Sequence, residues 1–342
     1  MRDTAQRAGG TVDPYSFQER RSGLLRRAGE AALRWREASI LLAAVMLAAY
    51  FQSTNPAFLS LSNVENLIDY TATTSIIAAG QVMVLVCGEL DLSVGMVYAL
   101  SPFVMHFVAA AGLPSGVAVV LALAAAGLVG LVNGSVTTLL SVPAFVTTLG
   151  TMFLVNGLTL TISGGFPVEP HAASSFAAIF GASPWARVAW SLAIAIVLQF
   201  VLNRTRFGLH TVATGGNLVA AAEVGIRINS VKIRNFVLCS MLGGFAGIID
   251  AFRIGSIDPL AGGAEITFAA IAAAVIGGTL LTGGSGTVIG ALVGALVLGI
   301  LKDGFTLSGV SAFTFDMILG GAILLTMAIN VRLTTWRERG SG

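Results

Sequence analysis

Residues 79–91 and 246–258 carry one pattern, A-G-x7-G-x-[LI]-D, at a constant offset of 167 (79 to 246, 91 to 258). Ala79-Gly80, Gly88 and Leu90-Asp91 fall on Ala246-Gly247, Gly255 and Ile257-Asp258, and Gly95 falls on Gly262. The block Thr138–Phe145 matches Thr306–Phe313, and Asn133-Gly134 and Leu149-Gly150 match Asp303-Gly304 and Leu319-Gly320. The matches keep their order, so the chain is a duplication. If an odd number of membrane spans separates equivalent points, the two halves are inverted across the bilayer, a plan that places a solute path between them.

The duplication lies in apolar sequence. Of 342 residues, 55% are hydrophobic and 11% charged, against about 25% charged in soluble domains. Several stretches approach the roughly 20 apolar residues that a membrane-crossing helix needs. No alternating ten-residue pattern points to a β-barrel. The 41 glycines suit close helix packing in lipid. The expectation is an all-α membrane protein of about ten transmembrane helices. Its spans are 38–55, 64–87, 91–111, 116–139, 143–163, 185–203, 233–252, 266–281, 287–303 and 313–331. Spans two to five and seven to ten form the repeats, five spans apart and hence inverted.

Charge orients the chain. Eight arginines precede residue 37, and Arg187 is the only one from there to residue 203. The positive-inside rule puts this end in the cytoplasm, with 1–37 a basic cytoplasmic segment, 38–331 the membrane domain and 332–342 a cytoplasmic tail. Leu24, Ala28, Ala32 and Trp35 make one face of a surface-lying basic helix, or the segment is a solvated tail. Ten crossings return the C-terminus to the same side, together with Arg204, Arg206, Arg227, Lys232 and Arg234. Residues 164–184 become an external loop containing Glu169 and His171. Residues 204–232 become the largest internal loop. Within it Gly215-Gly216-Asn217 can cap a helix of about two turns through Ala220, Ala221 and Glu223, ended by Gly225-Ile226.

Acids in apolar sequence are expensive and normally face protein or water. Asp91 is expected as an N-cap of the third span, helped by Ser93, and Asp258 as its counterpart before Pro259. Gly88, Glu89, Asp91, Ser93, Gly95 and Asp258 are therefore read as a hinge motif. Glu89 has no counterpart in the repeat and is expected to pair with a cation or lie near the inner opening. Asp250, Arg253 and Glu265 are placed for ion pairing near the outside, and Lys302 for snorkelling to the interface. Gln81, Asn133, Thr137, Thr147 and Asn156 either line a hydrated path or bond across helices.

Several chemistries are excluded. The chain has no Gly-Lys dipeptide, so it holds no phosphate-binding P-loop. His106, His171 and His210 lie in distant segments without a catalytic or metal-ligand spacing, and Cys87 and Cys239 read as packing residues rather than a disulfide or metal site. An enzyme, a resident cofactor or a metal centre is not expected.

Three motifs carry a family resemblance. Gly88-Glu89-Leu90-Asp91-Leu92-Ser93-Val94-Gly95 resembles G-x-[IL]-D-L-S-V-G. Residues 213–232 resemble a G-G-N-x-x-A-A…G-I…K segment, and residues 273–294 a G-G-T-x-x-x-G-G-x-G run. Together, over about residues 38–331, they resemble the permease subunits of ribose-type ABC sugar importers. The resemblance implies an ABC importer permease fold in a bacterial cytoplasmic (inner) membrane, working as a homodimer or with a homologous permease. It also implies separate ATPase subunits that use the ATP, an extracytoplasmic solute-binding protein, no nucleic acid, and residues 216–226 as the helix that fits an ATPase groove. A monosaccharide or related polyol is the expected solute. A nucleoside or branched-chain amino acid, or a proton-coupled transporter using Glu89 or Asp91, are the alternatives.

Overall fold

A computed structural model describes residues 38–311 together with Thr314, Met317, Gly320 and Gly321. The basic segment 1–37, most of the tenth expected span and the tail 332–342 lie outside the described residues. Between residues 38 and 311 twelve helices follow in order: α1 (Ala38–Thr54), α2 (Leu61–Val86), α3 (Val94–Ala110), α4 (Ser115–Leu139), α5 (Ala144–Ser163), α6 (Ser174–Ala177), α7 (Pro184–Arg204), α8 (Arg206–Gly216), α9 (Leu218–Glu223), α10 (Ile228–Ile254), α11 (Ala264–Ile276) and α12 (Val288–Leu307). A π-helical turn, Ala178–Ala182, continues α6. Helices α4, α5, α7, α10 and α12 are each long and apolar enough to cross a membrane, and α1, α3 and α11 are shorter apolar helices.

The centre of the bundle is the pair α2 and α10, which are repeat equivalents beginning 167 residues apart (61 and 228). Every residue from Ala72 to Cys87 is buried. A helix buried on all sides is apolar all round, which is why this stretch shows no amphipathic face in the sequence. The two helices are antiparallel. Glu89, just past the end of α2, pairs with Lys232 near the start of α10, and Asp69, early in α2, pairs with Arg253 at the end of α10. Equivalent helices running in opposite directions make the halves inverted repeats.

The halves interlock. In the first, α3 and α4 pack against α10 of the second, while α11 and α12 of the second pack against α2. Gly127, Gly130 and Gly134 line the α4 face on α10, meeting Met241, Phe236–Val237 and Ile233. Gly243 and Gly247 of α10 seat Val94 and Tyr98 of α3, and Gly299 of α12 seats Thr71. Without a hydrophobic force between helices in lipid, van der Waals contact of this closeness supplies the attraction, and only small residues permit it. The repeat equivalents Gly95 and Gly262 meet at the centre. Gly262 lies against the Gly95 carbonyl, Gly263 N–H donates to that oxygen at 3.1 Å, and Gly95 N–H donates to Thr267 Oγ1 at 3.1 Å. Contact between equivalent residues is what an axis relating the halves requires. Outward-facing Val120, Leu154 and Ile196 are well exposed, as hydrocarbon contact demands.

Three expectations are corrected. The eighth span, placed at 266–281, ends as a helix at Ile276. Gly278 takes φ +99°, Thr279 N–H reaches back to Ala274 O at 2.9 Å, and the chain turns inside the bundle. At 13 residues, α11 is about 20 Å long, short of a roughly 30 Å hydrocarbon core. The internal loop 204–232 contains an additional helix, α8, capped by Thr205, whose Oγ1 accepts from Gly208 N–H at 3.2 Å. Within the loop 164–184, α6 and its π turn pack on α10, and Val168 pairs with Ile257 in an isolated antiparallel bridge.

Replacing Gly130 with Leu is expected to unfold or strongly destabilise the protein, since its Cβ would overlap the Phe236 carbonyl and overpacking costs about 1–3 kcal/mol or more. Gly150→Leu, where nothing lies within 4 Å, should leave the melting temperature unchanged. Thermal unfolding of the two variants in detergent checks the contrast.

Candidate functional site

The three motifs, far apart in the chain, converge on one junction. Helix α2 closes with Gly88 at φ +84°; Gly88 N–H donates to Leu85 O and Glu89 N–H to Val84 O. This is the paired bonding of a left-handed glycine terminus. Gly215, the penultimate residue of α8, lies so close to the Val86 carbonyl that a side chain would overlap it. Gly284 N–H donates to the same Val86 oxygen at 2.9 Å. A Cβ on Gly283 would come within 3.0 Å of Gly88 Cα, and Gly284 packs on Gly216. Both Gly283 and Gly284 also have positive φ, a conformation glycine adopts without penalty. Backbone therefore meets backbone across three segments, with no side chain between.

From this junction Asn217 starts α9. Its Oδ1 accepts from Ala220 N–H at 3.0 Å. At the other end Gly225, φ +83°, and Ile226 donate to Ala222 and Ala221 carbonyls at 2.9 and 3.0 Å, again the left-handed terminus. Ala221 packs inward, whereas Leu218, Val219, Ala220, Glu223 and Val224 are exposed. A helix this short is unstable alone. Its caps and its tie to the glycine junction hold it.

Beyond Gly88 the chain climbs back beside α2. Glu89 pairs with Lys232, both side chains mostly buried at 14% and 16% exposure. Asp91 is fully buried; its Oδ1 accepts from Ser93 N–H at 2.9 Å and from Ser93 Oγ at 2.7 Å. Asn133 Nδ2 donates to Ser93 Oγ at 2.8 Å, and Gln81 Nε2 donates to the Asp91 carbonyl. The helix start differs from the expected one. Ser93, not Asp91, is the residue preceding α3, and Asp91 fixes the turn one step earlier. Asp258 makes the equivalent turn, accepting from Leu260 N–H at 2.9 Å. It is exposed, and α11 begins at Ala264 rather than after Pro259. The repeat thus preserves the turn but not its burial.

The polar residues read as a possible path are distributed. Gln81 and Asn133 join the Asp91 network, each keeping one amide oxygen without a partner, and Thr137 and Thr147 are buried with unpartnered hydroxyls. Asn156 is half-buried on α5. These groups gather around α2, α4 and α5 rather than in one open cavity.

Two associations escaped the sequence reading. Arg187, buried within α7, pairs with Asp69 of α2 and donates to Gly181 O. A lone arginine in a long apolar region must have an anionic partner; that was the available signal, and Asp69, in the third turn of α2, was not weighed. Arg253 extends the group, bonding Asp250 through Nε at 2.6 Å and Asp69 through Nη1 at 3.3 Å; Tyr98 completes it by donating to Asp250. His106 and His171 also come together, their Nδ1 atoms 3.3 Å apart, although they are 65 positions apart in the chain. Among the described residues no group of three or more metal-binding side chains forms.

Comparison with known proteins decides the family. Residues 63–327 match the family described as branched-chain amino acid transport system / permease component. The chain belongs to this family. It is similar to the xylose/arabinose import permease protein XylH of Sulfolobus acidocaldarius, 36% identical over 86% of this chain and 84% of that one. It is also similar to the ribose import permease protein RbsC of Escherichia coli K12, 35% identical over 84% and 91%. With the autoinducer 2 import system permease protein LsrC of Photorhabdus luminescens it shares 33% identity over 87% and 90%. No solved structure matches at a significant level.

Asp91→Ala should lower stability by about 1–3 kcal/mol, because it leaves buried Ser93 donors unpaired; Asp91→Asn, which keeps an acceptor, should recover most of the loss in a thermal melt. Glu89→Gln alone should destabilise more than Glu89→Gln with Lys232→Met, since a lone buried charge is worse than none. A double-mutant cycle on melting temperature measures this.

Proposed function

We propose that this chain is the membrane-spanning permease subunit of an ATP-binding-cassette importer, carrying a monosaccharide or related polyol across a bacterial cytoplasmic membrane. The observation that carries the reading is α9. It is a capped helix standing out from the bundle with Leu218, Val219 and Val224 at 48%, 67% and 76% exposure, joined at its base to the ends of α2 and α8 and the α11–α12 loop. Such a helix suits insertion into a partner's groove, and the partner is an ATPase subunit. ATP hydrolysis belongs to that partner.

Charge supports the orientation. At the α9 end, Arg204, Arg206, Arg227 and Arg234 are all exposed and make no ion pair among the described residues. At the opposite end Arg187, Arg253 and Lys302 are each matched by an acid. Unneutralised cations belong on the cytoplasmic side, so α9 and both termini face the cytoplasm and the Asp69 cluster faces outward. An extracytoplasmic binding protein would deliver solute there. A second permease copy or a homologue would complete the path. The chain itself needs no cofactor.

The sugar class is favoured by relatives named for ribose and xylose/arabinose, while the family description names branched-chain amino acids. ATP-dependent uptake of D-ribose, D-xylose and L-leucine by the reconstituted complex separates the two. For coupling, Glu223→Lys and Gly225→Trp should each reduce co-purification of the ATPase and slow uptake at least several-fold. Normal association and uptake in both would remove α9 from that role.

A further inference from the structure

At the end of the bundle opposite α9, the segment between α5 and α7 folds over α3 and brings two histidines together. His106 lies in the last two turns of α3, and His171 just before α6. Their Nδ1 atoms are 3.3 Å apart, and the Glu169 carbonyl oxygen stands 2.9 Å from the same His106 atom. The backbone that carries them is fixed without help from the pair. Val168 and Ile257 exchange hydrogen bonds of 3.0 and 2.7 Å. Ala172 and Phe176 pack on the buried cluster that holds Phe103 and Met105 of α3.

Protons alone leave this arrangement unsatisfied. A neutral imidazole has one N–H and one lone pair. If His106 Nδ1 carries the proton, the His171 nitrogen and the Glu169 oxygen compete for it. If His171 Nδ1 carries it, the His106 lone pair faces the Glu169 oxygen with nothing between them. A cation at this point satisfies all three atoms. The spacing fits one, because two nitrogens at about 2.0–2.1 Å from a tetrahedral zinc ion stand about 3.3–3.4 Å apart. Imidazole nitrogens select zinc, copper or nickel over magnesium and calcium, which take oxygen ligands. No basic side chain on these elements opposes a cation: from residue 94 to residue 186 the chain has no Arg or Lys, and Glu169 is its one acid.

We propose that His106 and His171, together with the Glu169 carbonyl, bind one divalent transition-metal ion of the zinc type. Both Nδ1 lone pairs then face the ion, and each neutral ring keeps its proton on Nε2. His171 and Glu169 are exposed and His106 is half-buried, so water completes the coordination. With two side-chain ligands the site is exchangeable, unlike a closed four-ligand structural centre. The ion fastens the α5–α7 segment to α3, beside the Val168–Ile257 bridge to the second half. This coordination does not depend on which solute the chain carries.

Zinc binding by the full-length protein, purified in detergent without a polyhistidine tag, tests the proposal. Equilibrium dialysis against micromolar zinc chloride gives the stoichiometry, and melting in zinc or in EDTA gives the effect on stability. Wild type and His210→Ala, a change on α8, are expected to bind one ion per chain and to melt higher in zinc. Magnesium should have no effect. His106→Ala and His171→Ala should each weaken binding at least about ten-fold, since loss of even an outer partner of a metal ligand costs about 10–100-fold, and should abolish the thermal shift. No zinc bound by wild type, or binding unchanged by either alanine substitution, overturns the site. If an alanine variant melts lower than wild type in EDTA, copper(II) electron paramagnetic resonance on His210→Ala decides instead. Hyperfine coupling to two imidazole nitrogens upholds the site, and coupling to one or none overturns it.

Discussion

The antiparallel crossing of α2 and α10 is the constraint on which the architecture depends. These helices are repeat equivalents, and at Gly80 they approach until a Cβ would stand 2.9 Å from Cys239 Cα. With the central pair fixed in opposite directions, α3 and α4 of the first half lie on α10, and α11 and α12 of the second lie on α2. That exchange leaves neither half a complete hydrophobic core of its own, so the duplication folds as one unit rather than two. Close packing of this density transmits displacement instead of absorbing it.

The same logic governs the junction beneath α9. Gly88, Gly215 and Gly284 bring three backbones together with no compressible side chain between them. A shift of α9 therefore reaches the α2 terminus and the α11–α12 loop directly. Just above, the Glu89–Lys232 pair and the Asp91 turn connect α2 to α10 and to the start of α3. At the far end, Asp69, Arg187, Arg253 and Asp250 join α2, α7 and α10 around a polar cavity. Buried charges stand near both ends of the central pair, each satisfied by a partner from a different helix. Both charged clusters thus belong to the same two helices.

Much of the layout was legible in the residue order because its signals are local. Nine expected spans coincide with described helices to within a few residues at most ends, since apolar length decides a crossing wherever the chain runs straight. The cap at Asn217 and the stop at Gly225 could be read because both involve only neighbouring backbone groups. The eighth span was overextended for a physical reason: Gly277-Gly278-Thr279-Leu280-Leu281 is apolar enough for a helix, and burial inside protein permits the same composition in a turn. The α8 helix was missed because its one strong local signal, Thr205, was not recognised as a cap. Asp91 was read as capping α3, a sensible local role, whereas its oxygens serve a network reaching Asn133 and Gln81. Arg187 signalled a buried anionic partner without saying which one, and neither Asp69 nor the His106–His171 contact carried a local pattern.

The amino-acid sequence alone determined the membrane environment, the duplication, the approximate spans and the short capped helix. Those follow from transfer of side chains into hydrocarbon and from hydrogen bonds between near neighbours. Tertiary structure decided which helix of one half lies on which helix of the other, where each buried charge finds its counter-charge, and that three separated glycine motifs share one junction. Several of these contacts, such as Arg187 with Asp69 and Glu89 with Lys232, bring together residues more than a hundred positions apart. Whether they form depends on how closely backbones can approach once the whole bundle is assembled.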